Sequence, residues 1–228
     1  MDHVSFDLET TGTDVFADRI TCGATREVVG DSITIKLWHS ELADVMSDET
    51  ATELAEYLIA AHERNLPVVS FNGAKFDFAI LAQRLAPCVL SRLKEVTKAH
   101  IDIMFHFACT HGYYASMDSF AKGCGLQPKT WNGKDAAEAW TNNNDGDRQK
   151  VVDYCAEDVR CLSDLYTYIK ANGEANRITK AGNLRCIPFA PLFNVKDAAA
   201  YFRNHPPDVT WMSDPAPNVA EGLQWCQT

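Results

Sequence analysis

The run Val4-Ser5-Phe6-Asp7-Leu8-Glu9-Thr10-Thr11-Gly12 constrains this chain more than any other stretch. Its alternation reads as a β-strand, in which successive side chains point to opposite faces. Val4, Phe6 and Leu8 share one face and need a core to cover them. Asp7 and Glu9 then project together from the other. Two carboxylates side by side disfavour each other's charge unless a proton or cation intervenes. A hard divalent cation such as Mg²⁺ suits carboxylate oxygens. A solvated strand end running into a Thr-Thr-Gly turn explains the same triplet, so the rest of the chain has to decide.

Residues 20–27 and 32–38 read as two further strands, and Gly30-Asp31 between them supplies turn chemistry for an antiparallel meander. Leu54, Tyr57, Leu58 and Ala61 recur at helical spacing within a helix over 50–65. Val68-Val69-Ser70-Phe71 suits a short buried strand that stops at Asn72-Gly73, a turn signal. The pattern then predicts a helix from Ala74 to Leu85, ended by Pro87, with Asp77 in its first turns. Residues 89–99 read as a short helix or connection, and 100–107 as a fifth strand running into a helix. A helix over 116–125 has Ser116 or Asp118 as its N-cap. A loop over 127–133, a short helix over 134–141 and an Asn-rich loop over 142–146 follow. The longest helix spans 147–172, with Val151, Val152, Cys155, Val159, Leu162, Leu165, Tyr166 and Ile169 as its apolar stripe and Gly173 as its stop. Six of the nine prolines lie beyond it, and only 195–203 look helical there. The expected organisation is therefore a domain over 1–173 and a Pro-rich, irregular extension over 174–228. That extension is expected to pack on the core through Phe189, Phe193, Trp211 and Trp225.

A chain of 228 residues that is 46% hydrophobic can bury one core, which excludes global disorder. Without an apolar run of about 18 residues, no membrane span is expected. Asp2 and His3 precede the first strand with no basic and apolar leader, so no secretory signal is expected either. None of the eight cysteines forms a Cys-x-x-Cys pair, which argues against a zinc ribbon and for reduced thiols in an intracellular, cytoplasmic compartment. The net charge of −10 excludes a protein that grips phosphates broadly. An acidic protein can still act on nucleic acid through a short, local, metal-bridged contact, and binding is then weak, salt-sensitive and non-processive.

Two further places carry acids where a site would use them. Asp77 lies just past an inner strand, in Asn72-Gly73-Ala74-Lys75-Phe76-Asp77; a helix-start acid favoured by the dipole is the ordinary explanation. Tyr154 and Asp158 are four apart on the long helix and hence on one face, as in many amphipathic helices. In this order and context the set resembles the three motifs of DEDD-type 3′–5′ exonucleases, in the tyrosine (DEDDy) subtype: Asp-x-Glu, Asn-x-x-x-Phe-Asp and Tyr-x-x-x-Asp. Phe6-Asp7-Leu8-Glu9-Thr10-Thr11-Gly12, Ser70-Phe71-Asn72-Gly73-Ala74-Lys75-Phe76-Asp77 and Tyr154-Cys155-Ala156-Glu157-Asp158-Val159 are most similar to the proofreading exonuclease domain of family-B DNA polymerases and related stand-alone exonucleases. The resemblance covers roughly residues 4–170.

That resemblance implies an α/β, ribonuclease H-like fold: a five-stranded mixed sheet flanked by helices. It implies Asp7, Glu9, Asp77 and Asp158 as ligands of two Mg²⁺ (or Mn²⁺) ions, and Tyr154 as the residue orienting the attacking water. Thr10, Asn72 and Phe76 match positions beside the 3′ nucleotide. The histidine subtype would need a histidine at Asp153; that acid reads better as part of a solvated helix face. Two metals would offset roughly four carboxylate charges and clamp the attacking and leaving oxygens of a phosphodiester. Tyr154, with a reference pKa near 10, suits aligning a water better than deprotonating it. Phe76 could stack on a base or pack in the core.

The expected function is a stand-alone 3′–5′ exonuclease that releases nucleoside 5′-monophosphates from single-stranded DNA, with any polymerase or replication partner on a separate chain. A 3′–5′ exoribonuclease shares the chemistry, since nothing in the sequence reads the 2′-hydroxyl. A non-catalytic nucleic-acid-binding or partner-docking module is the alternative of another class. Asp102 could serve the site from behind or cap an element. His106 and His111 lack a third ligand for a metal. Lys75, Lys122, Lys129 and Lys134 could rim the site or be scattered surface charges, and Trp131 and Trp140 read as packing residues.

Overall fold

The acid-bearing strand, β1 (His3–Thr10), is the central strand of a five-stranded sheet in the computed structural model, which describes residues 1–40, 44–127, 133–141, 145–213, 215–216 and 223–227. β2 (Ile20–Val29) pairs with it antiparallel, and β3 (Ser32–Trp38) continues the meander through Gly30, whose φ is +56°. On the other side β4 (Val68–Ser70) and β5 (Ile101–Asp102) run parallel, so the order is β3-β2-β1-β4-β5. This is the α/β mixed sheet flanked by helices that the resemblance implied. No helix among the described residues is long and apolar enough to cross a membrane.

Both faces of β1 are covered. Val4, Phe6 and Leu8 pack against α1 (Asp48–Glu63), α2 (Asp77–Ala82) and α3 (Pro87–Ala99), where Leu54, Leu58, Phe78 and Leu93 are all buried. The rings of Phe6 and Phe78 meet edge to face at 4.8 Å. Each fully buried aromatic of this kind contributes about 2–3 kcal/mol from area alone. The opposite face carries α6 (Gly133–Thr141) and the long helix α7 (Asp145–Asn172), with Trp140, Tyr154, Cys155 and Val159 packed with Cys22 and Ala24.

Polar residues on β1 fix α7 in register. His3 Nε2 bonds Ser163 Oγ at 2.7 Å, the Ser5 hydroxyl donates to the Val159 carbonyl at 2.8 Å, and Cys155 Sγ donates to the Asp7 carbonyl at 3.6 Å. Each step of two strand residues, about 6.6 Å, matches a step of four helix residues, about 6.0 Å. The helix therefore runs back along the strand and arrives at Asp7 with residues 154–158.

The rest of the chain closes the β5 side. α4 (Ile103–His111) and α5 (Met117–Gly123) pack with the end of α7 around Phe107, Phe120, Leu165 and Phe189. α2 is shorter than expected: residues 74–76 form its approach, and Pro87 opens α3 rather than closing α2, as its fixed φ allows at a first helical turn. The extension is less irregular than its prolines suggested. It holds a hairpin, β6 (Glu174–Ile178) and β7 (Leu184–Pro188), then α8 (Val195–Asn204) and α9 (Gln224–Gln227). The hairpin escaped the sequence reading because Arg177 and Arg185 interrupt its apolar alternation. Phe189 is buried, and Phe193 and Trp225 pack partly buried against the core, but Trp211 is 71% exposed and does not pack as expected. Trp140 is a buried packing residue whose Nε1 donates to the Asp44 carbonyl at 2.6 Å. Trp131, Lys129, the loop at 142–144 and the side chain of Lys134 lie outside the described residues.

Candidate active site

β4 is only three residues long, and among the described residues its pairing with β1 runs no further than Ser5 and Val69. The Leu8 N–H, midway between Asp7 and Glu9, donates instead to Asp77 Oδ1 at 3.0 Å. One hydrogen bond thus brings the acid of the second motif to the backbone between the acids of the first. A bulge between Glu9 and Thr10 follows, where the pairing with β2 slips by a residue. Bulges re-aim the side chains beyond them, and here the change falls at the sheet's rim. The Thr10 hydroxyl donates to the Gly12 carbonyl at 2.6 Å, which tightens the turn.

The turn carrying Asp77 is held from behind by Asp102. Its Oδ1 accepts from the Asn72 N–H at 2.8 Å and from the Phe105 N–H at 2.9 Å, and Oδ2 accepts from the Ala74 N–H at 2.9 Å. It is therefore a buried N-cap of α4 that also anchors the Asn72–Asp77 turn. Asn72 takes a left-handed φ of 76°, a conformation Asn tolerates better than most residues.

Asp7, Glu9, Thr10, Phe76, Tyr154 and Asp158 line one open cavity of about 860 Å³. Glu9, Tyr154 and Asp158 are almost fully buried at its floor, while Phe76 is half-buried. Asp77 belongs to the same cluster through Leu8, and Asn72 is not among the residues lining the cavity. Asp153 is exposed and accepts from the Gln149 side chain at 2.8 Å, as a solvated helix face would have it. Lys75 donates to the Tyr114 hydroxyl at 2.7 Å, and Lys122 pairs with Asp118 on its own helix. His106 is buried against Phe189 and accepts from the Phe193 N–H at 3.2 Å; burial lowers its pKa to about 4.

Two lining residues and one beneath the acids were not legible in the sequence. Glu138 and Thr141 reach the cavity from α6. Cys155, which the periodicity placed in the apolar stripe of α7, lies under the acids: ligand atoms of Asp7, Glu9 and Cys155 fall within 4.8 Å of one another. Its hydrogen bond with Cys22, its burial and the two carboxylates push the thiol well above its usual pKa, so it is a neutral thiol here. Whether this donor set suits a cation follows from its chemistry. The carboxylates of Asp7, Glu9 and Asp158 on the cavity wall supply hard oxygen donors and negative charge, which a hard divalent cation offsets.

A family model of the RNase_H superfamily (RNase_H_2) matches residues 4–170. No curated protein matches the chain. Among solved structures, Exonuclease I without ligand is 11% identical over 75% of this chain and 42% of its own length, with a TM-score of 0.36. E. coli Exonuclease I in complex with a dA16 oligonucleotide is 12% identical over 75% and 43%, at 0.37. The ExoI/SSB-Ct complex is 12% identical over 75% and 41%, at 0.38. The chain thus spans about two fifths of the length of these structures, and likenesses this distant transfer no residue role.

Proposed function

The chain belongs to the RNase_H superfamily, and from that premise we propose that it is a metal-dependent 3′–5′ exonuclease acting on single-stranded DNA. The observation that carries this is that Asp7, Glu9 and Asp158, acids of the first and third motifs, line one cavity with Tyr154, while Asp77 of the second motif is held at the Leu8 N–H between the first two. In this proposal Asp7, Glu9, Asp77 and Asp158 hold two Mg²⁺ or Mn²⁺ ions. When bound, such ions offset charge at the phosphate and make hydroxide available near neutral pH.

The chain's own residues do the positioning. Tyr154 orients the attacking water in line with the scissile bond through its hydroxyl. Thr10 and Phe76 line the cavity where the terminal sugar and base would lie, and Phe76 can stack on any base. The water oxygen bonds to phosphorus, the bond from phosphorus to the neighbouring 3′-oxygen breaks, and that oxygen leaves with a proton. The products are a nucleoside 5′-monophosphate and a strand one nucleotide shorter with a new 3′-hydroxyl. An exoribonuclease would use the same groups.

One gel series tests the proposal: 5′-labelled single-stranded DNA, duplex DNA and RNA, each with Mg²⁺, Mn²⁺ or chelator. A descending ladder on single-stranded DNA that vanishes with chelator and in Asp7→Ala is the expected result. A ladder on RNA alone moves the substrate to RNA. No hydrolysis of any substrate, with no Mg²⁺ or Mn²⁺ binding by calorimetry, leaves the docking module as the better reading.

A further inference from the structure

The extension helps build a second cavity. It has a volume of about 820 Å³, and its walls include Tyr113 and Tyr114 after α4, Arg177 and Lys180 on the hairpin, and Trp211 beyond α8. We propose that this cavity binds single-stranded nucleic acid on the 5′ side of the nucleotide in the active site, so that residues 174–216 act as the arm that grips the incoming strand. It rests on the active-site reading above for the direction in which the strand lies.

Charge supports this first. The chain carries a net −10, yet no Asp or Glu is among the described residues lining this cavity, while Arg177 and Lys180 are. Arg177 is opposite Arg185 across the hairpin, and like charges directly opposed destabilise a strand pair unless an anion lies between or beside them. The Arg177 guanidinium lies over the rings of Tyr113 and Phe107, with centroids 5.2 Å and 5.8 Å away. Its Nε and Nη1 are buried with no hydrogen-bond partner. A guanidinium fixed over two rings in the cavity wall adds a placed positive charge of the kind that suits phosphate oxygens.

The aromatic surface points the same way. Trp211 is 71% exposed and Tyr114 38%, in a wall that also carries cations. Exposed rings interleaved with basic groups are what single strands use, because every base has a face to stack. One hydrogen bond leads from the second cavity toward the first. Tyr114 lines the second and accepts from Lys75, whose chain neighbour Phe76 lines the first. A strand whose last base meets Phe76 passes next over Lys75 and Tyr114.

The arm is also fixed in place. A Cβ on Gly123 would collide with the Asn176 carbonyl oxygen, so glycine there lets β6 sit tightly on α5. Ala216 donates to the Gly112 carbonyl at 2.7 Å, which ties the segment after Trp211 to the end of α4.

The test compares Trp211→Ala, Arg177→Gln and Lys180→Glu with the parent protein on two probes. A 5′-labelled dT12 strand is titrated in chelator by fluorescence anisotropy over a salt series. A dTdT dinucleotide, too short to span both cavities, is hydrolysed with Mn²⁺. Trp211→Ala is expected to weaken dT12 binding by about 5-fold or more, since one stacked base is lost. Each charge variant is expected to weaken it and lower the salt slope by about one. Dinucleotide kcat and KM are expected to match the parent's in Trp211→Ala and Lys180→Glu. Unchanged dT12 affinity in all three variants overturns the proposal, as does an equal loss on the dinucleotide or displacement of dT12 by poly-glutamate at lower concentration than by unlabelled dT12. A parent that hydrolyses neither probe, yet binds dT12 through these residues, sinks the active-site reading and leaves the groove standing.

Discussion

Asp102→Asn separates what holds the site from what reacts in it. The carboxylate accepts three backbone N–H groups, those of Asn72, Ala74 and Phe105, and it is 1% exposed. Asparagine keeps one oxygen and sets an NH₂ group against at least one of those donors. A hydrogen bond to a charged acceptor contributes about 1.5–3 kcal/mol, and a buried donor left unpaired adds to the loss. The expected cost is about 2–4 kcal/mol, or a Tm lower by roughly 5–10 °C for a chain of this size. Release of the Asn72–Asp77 turn then lets Asp77 drift from the Leu8 N–H, and misplacement by about 1 Å costs on the order of 100-fold in rate. Thermal unfolding in chelator and single-turnover hydrolysis well below Tm read the two effects. A Tm within about 1 °C of the parent's refutes the anchoring role. If the rate collapses all the same, Asp102 acts in the chemistry instead.

Asp7→Ala is expected to lower hydrolysis by at least about 1,000-fold, since several kcal/mol of charge stabilisation depend on the cation it helps hold. Its Tm in chelator is expected to be no lower than the parent's, because removing one carboxylate relieves a cluster of like charge; a clear loss would mean that Asp7 is chiefly structural. Tyr154→Phe should slow the single-turnover rate on the order of 10-fold while metal affinity by calorimetry stays put, and an unchanged rate removes the water-orienting role. Acid should destabilise the fold through its buried histidines. Burial depresses the pKa values of His3, His100, His106 and His111, that of His106 to about 4. A neutral imidazole favoured by folding contributes fully above the unfolded value near 6.5, and that contribution is lost as pH falls from 6.5 towards 4. At pH 5 His106 alone accounts for about 2 kcal/mol, and His106→Gln should flatten that part of the Tm profile between pH 7 and 5.

The sequence by itself marked most strands and helices, because a strand alternates its faces and a helix repeats every 3.6 residues whatever surrounds them; the mixed sheet and the candidate residues came from the resemblance of its three motifs. Val4, Phe6 and Leu8 on one face, the Gly30 turn and the stripe of α7 follow from that alone. Only tertiary structure decided how those pieces meet. The register of α7 on β1 comes from Ser5 and His3 reaching Val159 and Ser163, contacts that span more than 150 residues. Asp77 takes its place because β4 stops short and frees the Leu8 N–H, and sequence spacing says nothing about where a neighbouring strand ends. Cys155 looked like one more apolar residue of a stripe, and its position under Asp7 and Glu9 exists only once helix and strand are packed. The hairpin of the extension was hidden by Arg177 and Arg185, whose charges break the alternation that marks a strand. A periodic pattern records which face of an element is buried; which element lies opposite is set by packing, and the site belongs to that second kind of information.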